Sequence, residues 1–146
     1  MAANVRYYLV CNYDKYEDLS NYRLDRISDI QLLDTPAKPI EKIRGVGVDF
    51  DIKKHLDQHI YMFSAKATNV KFKADKQMLN DVIDYFGKNV RFSDETDTDV
   101  TVSVNIAYTD MKLWAMQFAT QVTVLEPKCL ADECKGLLMK AVERYT

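Results

Sequence analysis

The sequence predicts an α+β protein, and two observations lead to that prediction. From residue 65 onward, segments of two-residue hydrophobic alternation and segments of helical periodicity follow in the order β-α-β-β-α-β, with a further helix at the end. This is the order of the ferredoxin-like βαββαβ arrangement, an antiparallel sheet with helices on one face. The first 60 residues contain only two strand-like segments, which is typical of part of a small β-domain.

The N-terminal part predicts a β-hairpin. Residues 5–13 are β-branched and aromatic, residues 14–20 form a polar turn, and residues 21–33 alternate as a second long strand. Residues 34–48 hold two of the three prolines and two of the four glycines, which indicates a loop or linker. Two strands cannot form a stable sheet by themselves, so this part needs further partners.

A short amphipathic helix is predicted over residues 51–60, with Asp49 or Asp51 as its N-cap. Ile52, Leu56 and Ile60 form one apolar stripe along it. His55 and His59 are one helical turn apart, a spacing that places two imidazoles together. Because no third ligand is evident nearby, an exposed histidine pair is favoured over a metal site.

The remaining elements follow from periodicity and capping residues. Strands are predicted at 65–73, 89–93, 100–108 and 121–125. Helices are predicted at 76–86, 111–119 and 129–144. Asp75 is expected to cap the first of these helices and Thr109 or Asp110 the second, while Gly87 closes the first as a C-cap. Trp114 lies among apolar residues and is expected in the core.

Composition limits the classes of function. The net charge of −2 provides no overall basic field of the kind that duplex-binding modules carry. No apolar run is long enough for a membrane span, and three cysteines without a secretion signal predict free thiols in the cytoplasm. The chain has no nucleophile elbow, metal cluster or phosphate-binding glycine loop, so we expect neither an enzyme nor a cofactor.

The segment at 21–27 (NYRLDRI) combines two arginines with a carboxylate. Arg23 and Arg26 can offer planar donor forks to a phosphate, and neighbouring tyrosines can stack on a nucleobase. The alternative is an ordinary surface ion pair between Asp25 and an arginine. In a regular strand Arg23 and Arg26 lie on opposite faces, so Arg23 is the favoured ligand contact and Asp25 its orienting partner.

Two stretches resemble the WYL family of bacterial transcriptional regulators. Residues 6–10 (RYYLV) and 21–27 resemble the core of the WYL domain, in which a Trp-Tyr-Leu triplet precedes an aromatic-Arg-Leu-Asp-Arg-Ile strand; Tyr7 stands where that Trp would be. Leu113-Trp114, residues 122–127 (VTVLEP) and the closing 143–145 (ERY) resemble the C-terminal extension of these regulators. Residues 51–63 resemble the helix that joins the two parts.

The resemblance implies a partial Sm/SH3-like barrel over 1–48, a connecting helix over 49–63 and a ferredoxin-like extension over 64–146. It implies the effector-sensing part of a regulator whose operator-reading helix-turn-helix lies upstream. The implied ligand is nucleotide-like or single-stranded nucleic acid, and the residues implied to bind it are Tyr7, Tyr8, Tyr22, Arg23, Asp25 and Arg26. Because an incomplete barrel exposes a strand edge, we expect a homodimer. A dimerisation module without ligand binding and a stand-alone enzyme are the alternatives.

Overall fold

A computed structural model describes residues 6–16, 18–44 and 46–145. These residues form a mixed α+β structure with two antiparallel sheets and four α-helices, as the sequence predicts at this coarse level. The chain divides into two compact units, Met1–Ile52 and Lys53–Thr146. None of the helices among the described residues is long and apolar enough to span a bilayer.

The first unit contains the predicted hairpin. Strand β1 (Tyr8–Asn12) pairs antiparallel with β2 (Leu19–Arg23). The second strand is shorter than the predicted 21–33, because Leu24–Arg26 form a single 3-10 turn closed by the Ile27 N–H on the Leu24 carbonyl. The last backbone contact to the described part of the other strand is from the Leu24 N–H to the Tyr7 oxygen, 3.0 Å. Among the described residues, no neighbouring strand extends the ladder beyond this point.

Helix α1 (Ile52–Gln58) follows and is also shorter than predicted. The expected apolar stripe is only partly buried. Ile52 and Leu56 are 49 % and 47 % exposed, whereas Ile60, just beyond the helix, packs against the core of the second unit.

The second unit has a four-stranded antiparallel sheet. Its strands are β3 (Ala67–Asp75), β4 (Arg91–Ser93), β5 (Asp99–Ala107) and β6 (Val122–Glu126). Their order across the sheet is β4-β5-β3-β6, and every neighbouring pair is antiparallel. All four strands lie where the sequence predicts them, within a few residues at each end.

Three helices complete this unit: α2 (Leu79–Phe86), α3 (Tyr108–Gln117) and α4 (Lys128–Glu143). Gly87 ends α2 with a φ of 64°, which confirms the predicted C-cap position. The N-caps predicted for α2 and α3 are wrong. A 3-10 turn separates Asp75 from α2, and α3 begins at Tyr108, before both Thr109 and Asp110; neither helix start has a side-chain cap.

The core of the second unit lies between one face of the sheet and the helices. Alternate residues of β3 and β5 supply the sheet side, as the strict alternation predicts. Trp114 on α3 is fully buried, with its ring centroid 4.7 Å from that of Phe86 and 5.3 Å from that of Phe72. On α4, Cys134 is buried in this core and Cys129 is exposed.

Candidate functional site

The hairpin register decides which of the predicted ligand-binding residues share a face. Tyr8 lies opposite Arg23, and Leu9 lies opposite Tyr22. Directly opposite residues of an antiparallel pair point to the same face, and successive residues of one strand alternate between faces. Tyr8 and Arg23 are therefore on one face of the hairpin, and Tyr22 is on the other.

Arg23 is held by Asp25 through two parallel contacts. The Arg23 Nε donates to Asp25 Oδ1 at 3.0 Å, and Nη2 donates to Oδ2 at 2.5 Å. The 3-10 turn over Leu24–Arg26 brings the carboxylate back to the guanidinium, so a turn and not a shared strand face explains this pair. The hydrogen bond from Arg23 lowers the pKa of Asp25, and the same bond raises the pKa of Arg23.

Arg26 lies at the end of the same turn and is exposed. Its positive charge adds to the lowering of the Asp25 pKa, which places it within electrostatic range of the pair. Within the described part of the chain, Arg26 makes no hydrogen bond or ion pair of its own. A second guanidinium is thus available beside one that is already oriented.

Four of the six predicted ligand-binding residues are brought together in this way: Tyr8, Arg23, Asp25 and Arg26. Tyr7 precedes β1 and is 70 % exposed. Tyr22, which is 42 % exposed, lies on the opposite face of the hairpin from Tyr8 and Arg23. Binding of a ligand by the four residues stays a prediction.

A second polar cluster, around His59, lies in the other unit. His59 is 8 % exposed and its ring stacks on that of His55 with centroids 4.2 Å apart, so the predicted exposed pair is wrong for His59. Its Nδ1 lies 2.7 Å from the His55 carbonyl oxygen, and its Nε2 lies 3.0 Å from that of Ala65. Both ring nitrogens of His59 therefore face backbone carbonyl oxygens, which only accept hydrogen bonds.

Asp110, on the first turn of α3, is the acidic member of this cluster and is fully buried. Its Oδ2 accepts the Tyr61 backbone N–H at 2.7 Å, while no group among the described residues meets hydrogen-bond geometry at Oδ1. Burial raises the pKa of Asp110, and the Tyr61 N–H and the charge of His59 act in the opposite direction. The sequence predicts Asp110 only as a helix cap and gives no signal for its contact with the Tyr61 N–H, because the two residues are 49 positions apart.

The His59 cluster holds the segment after α1 against α3 through the hydrogen bond from the Tyr61 N–H to Asp110. Both ring nitrogens of His59 are engaged by backbone oxygens and are not available to a metal ion. Within the described ranges, no group of three or more His, Cys, Asp or Glu side chains is placed to hold a metal. This cluster therefore stabilises the local structure, and the Tyr8–Arg23–Asp25–Arg26 group is the candidate binding site.

Comparison with known protein families and with curated proteins gives no match for this chain. The WYL resemblance consequently rests on the residues quoted for it.

Proposed function

We propose that this chain is the effector-sensing and oligomerisation part of a WYL-type bacterial transcriptional regulator, acting in the cytoplasm. One observation carries the proposal: Arg23, oriented by Asp25, lies on the same hairpin face as Tyr8, with the exposed Arg26 beside it. This combination suits a phosphate-bearing ligand with an aromatic base.

The chemistry of the site favours a nucleotide-like or single-stranded nucleic-acid effector. Asp25 occupies the Nε and Nη2 edge of Arg23, which leaves Nη1 to donate to a phosphate. Arg26 can offer a complete donor fork. Tyr8 can stack on a base, and this mixture of stacking and charge is the usual means of binding single strands.

The arrangement of elements supports the architecture that the resemblance implies. For residues 64–146, the element order and the strand order β4-β5-β3-β6 support a ferredoxin-like module. For residues 1–48, the tightly paired hairpin supports part of an Sm/SH3-like barrel. The effector would favour one domain or dimer arrangement, and a helix-turn-helix of the kind that the resemblance implies would read that arrangement on operator DNA.

Fluorescence anisotropy with a labelled single-stranded oligonucleotide tests the proposal. We expect Arg26→Ala and Arg23→Ala each to weaken binding about tenfold, or about 1.4 kcal/mol. Each should also reduce the slope of log affinity against log salt by about 0.7, as expected for one lost phosphate contact on a single strand. Tyr22→Ala is the matched control on the opposite face and should leave affinity unchanged.

Two results would contradict the effector proposal. One is the absence of salt-sensitive binding by the unaltered chain to oligonucleotides and mononucleotides alike. The other is an equal loss for Tyr22→Ala and Arg26→Ala, which would show that the hairpin face does not matter.

The second candidate is a dimerisation module without ligand binding. The observation that favours it is the run of exposed apolar side chains near the end of α4, where Met139 is 59 % and Val142 is 64 % exposed. A chain that dimerises but binds no oligonucleotide would support this function over effector sensing.

A further inference from the structure

The two faces of the four-stranded sheet differ in chemistry. Apolar residues at alternate positions of β3 and β5 pack with the three helices in the core. The residues between them point to the opposite face of the sheet. We call this the open face and define it by Lys71 and Lys73 of β3, Ser103 of β5 and Arg91 of β4. Lys73 and Arg91 are exposed, and Lys71 and Ser103 are half-buried.

The strand register places these side chains in one cluster. Ser103 lies directly opposite Lys71 on one side and Arg91 on the other, so the three residues form a row across the sheet. Neighbouring strands are about 4.8 Å apart, so the backbones of Lys71 and Arg91 are about 10 Å apart, with Ser103 between them. Lys73 lies two residues along β3, about 7 Å from Lys71. Three cations and a hydroxyl therefore share one small area of the face.

The carboxylates on this face restrict the path that an anion can take. Lys71 Nζ donates to Glu126 Oε1 at 3.2 Å, and the two side chains are 41 % and 64 % exposed. Exposed pairs of this kind contribute little stability, so a phosphate can displace Glu126. Asp75 and Asp99 lie opposite each other on the same face, one row beyond Lys73. The favourable path therefore crosses the strands from β3 to β4 and does not run along them toward these two acids.

We propose that the open face binds the phosphodiester backbone of single-stranded nucleic acid, which crosses the strands from β3 to β4. The face belongs to the second unit and shares no residue with the candidate site of the hairpin. This second surface goes beyond the proposed function, and it binds whether or not the hairpin site does.

The chemistry of the open face selects this occupant. Proteins hold nucleic-acid phosphates with lysine, arginine and serine side chains, which is the set that meets in the Lys71–Ser103–Arg91 row. Phe92 of β4 lies opposite Val102 and therefore on the core side of the sheet. The four strands, all within the described residues, place no aromatic side chain on the open face. We therefore expect contacts to the backbone without base stacking, and little dependence on base sequence.

Charge complementarity favours a single strand over a duplex or an acidic peptide. Three cations can neutralise only about two or three phosphates, and the net charge of −2 provides no wide basic field for a duplex. Every linkage of a nucleic-acid strand carries a negative charge, whereas a peptide meets these cations only where its acidic residues have a matching spacing.

Fluorescence anisotropy of the full chain with a labelled oligothymidylate tests this surface. We expect Lys73→Gln and Arg91→Gln each to weaken binding about three- to tenfold and to reduce the slope of log affinity against log salt by about 0.7, as for one lost phosphate contact. Both positions are exposed, so the fold should be retained. Lys140→Gln is the matched control, because it removes the same charge from an exposed position of α4, a helix that packs on the core side of the sheet.

Acetylation followed by mass spectrometry locates the contact. With the oligothymidylate bound, Lys71 and Lys73 should react more slowly with an acetylating reagent, whereas Lys140 should react at an unchanged rate. The protection should persist in Arg26→Ala, which removes a contact of the hairpin site only.

Several results would overturn the proposal. These are no binding of oligothymidylate, unchanged affinity for Lys73→Gln and Arg91→Gln, no protection of the β3 lysines, or tighter binding of a duplex of the same length. Equal competition by a polyglutamate peptide would also overturn it and would indicate a docking surface for acidic protein segments. Loss of affinity in Arg26→Ala with no loss in Lys73→Gln would show that this surface fails while the proposed function stands.

Discussion

Replacing Asp110 tests how the segment after α1 is fastened to α3. Asp110→Ala removes the oxygen that accepts the Tyr61 N–H at 2.7 Å and leaves that part-buried donor without an acceptor. Leaving such a donor unpaired costs about 1–3 kcal/mol, so the free energy of unfolding of the second unit should fall by this amount. Asp110→Asn keeps an oxygen acceptor of the same size, and we expect it to lose less.

Urea unfolding followed by fluorescence measures this loss directly. Trp114 is the only tryptophan of the chain and is buried on the same helix as Asp110, so its emission reports on the second unit. With a denaturant slope of about 2 kcal/mol/M, a loss of about 2 kcal/mol lowers the urea midpoint by roughly 1 M. Equal losses for Asp110→Ala and Asp110→Asn would refute the assignment of the loss to the Tyr61 N–H.

The difference in stability between the unaltered chain and Asp110→Asn should depend on pH. Burial raises the pKa of Asp110 above its ordinary value of 3.8, so the folded state binds this proton more tightly than the unfolded state. The stability that results is fully present below pH 3.8 and is lost as the pH rises through the folded-state pKa. The unaltered chain should therefore lose stability relative to Asp110→Asn as the pH rises from 3.8, and a pH-independent difference would refute this reasoning.

Three further predictions concern stability. Trp114→Ala should lower the free energy of unfolding by about 3–5 kcal/mol, because the ring is fully buried among aromatic neighbours, and a loss below 1 kcal/mol by circular dichroism would contradict that packing. Gly87→Ala should lower the free energy of unfolding by about 1–3 kcal/mol, because φ is 64° and ψ is −148°. Gly136→Ala, within α4, should be neutral or stabilising. Similar melting temperatures for the two variants would argue against strain at residue 87. Burial, and then the charge of His59, lower the pKa of His55 below its ordinary 6.5. The free energy of unfolding should therefore fall as the pH drops from 6.5 toward the folded-state pKa of His55. His55→Gln should flatten the acid side of the urea-midpoint profile, and an unchanged profile would exclude His55 as the source.

The second unit is largely predictable from the sequence because its strands can be recognised locally. Val100, Val102, Val104 and Ile106 alternate with polar residues, and all four are buried on one face of β5. The end of β2 could not be predicted in this way. Residues 24–33 also alternate, but a strand needs a neighbour, and the neighbour's position depends on the register of the hairpin.

The sequence predicts which residues form the candidate site better than it predicts how they are arranged. The spacing of Arg23 and Asp25 suggested their pairing, although the contact comes from a 3-10 turn and not from a shared strand face. The hairpin register places Tyr22 on the other face from Tyr8 and Arg23, and ligand binding by Tyr22 stays a prediction. The role of Asp110 had no local signal, because an aspartate near a helix start resembles an N-cap whatever its distant partner.

The two cysteines of α4 differ in exposure, so their modification rates report on movement of this helix. Cys129 is exposed and open to alkylation at all times, whereas Cys134, five residues on, is buried against the core and has a pKa raised mainly by burial. A thiol reagent should modify Cys129 first, and modify Cys134 only when α4 lifts away from the sheet. The rate at Cys134 relative to that at Cys129 therefore follows how often the helix detaches.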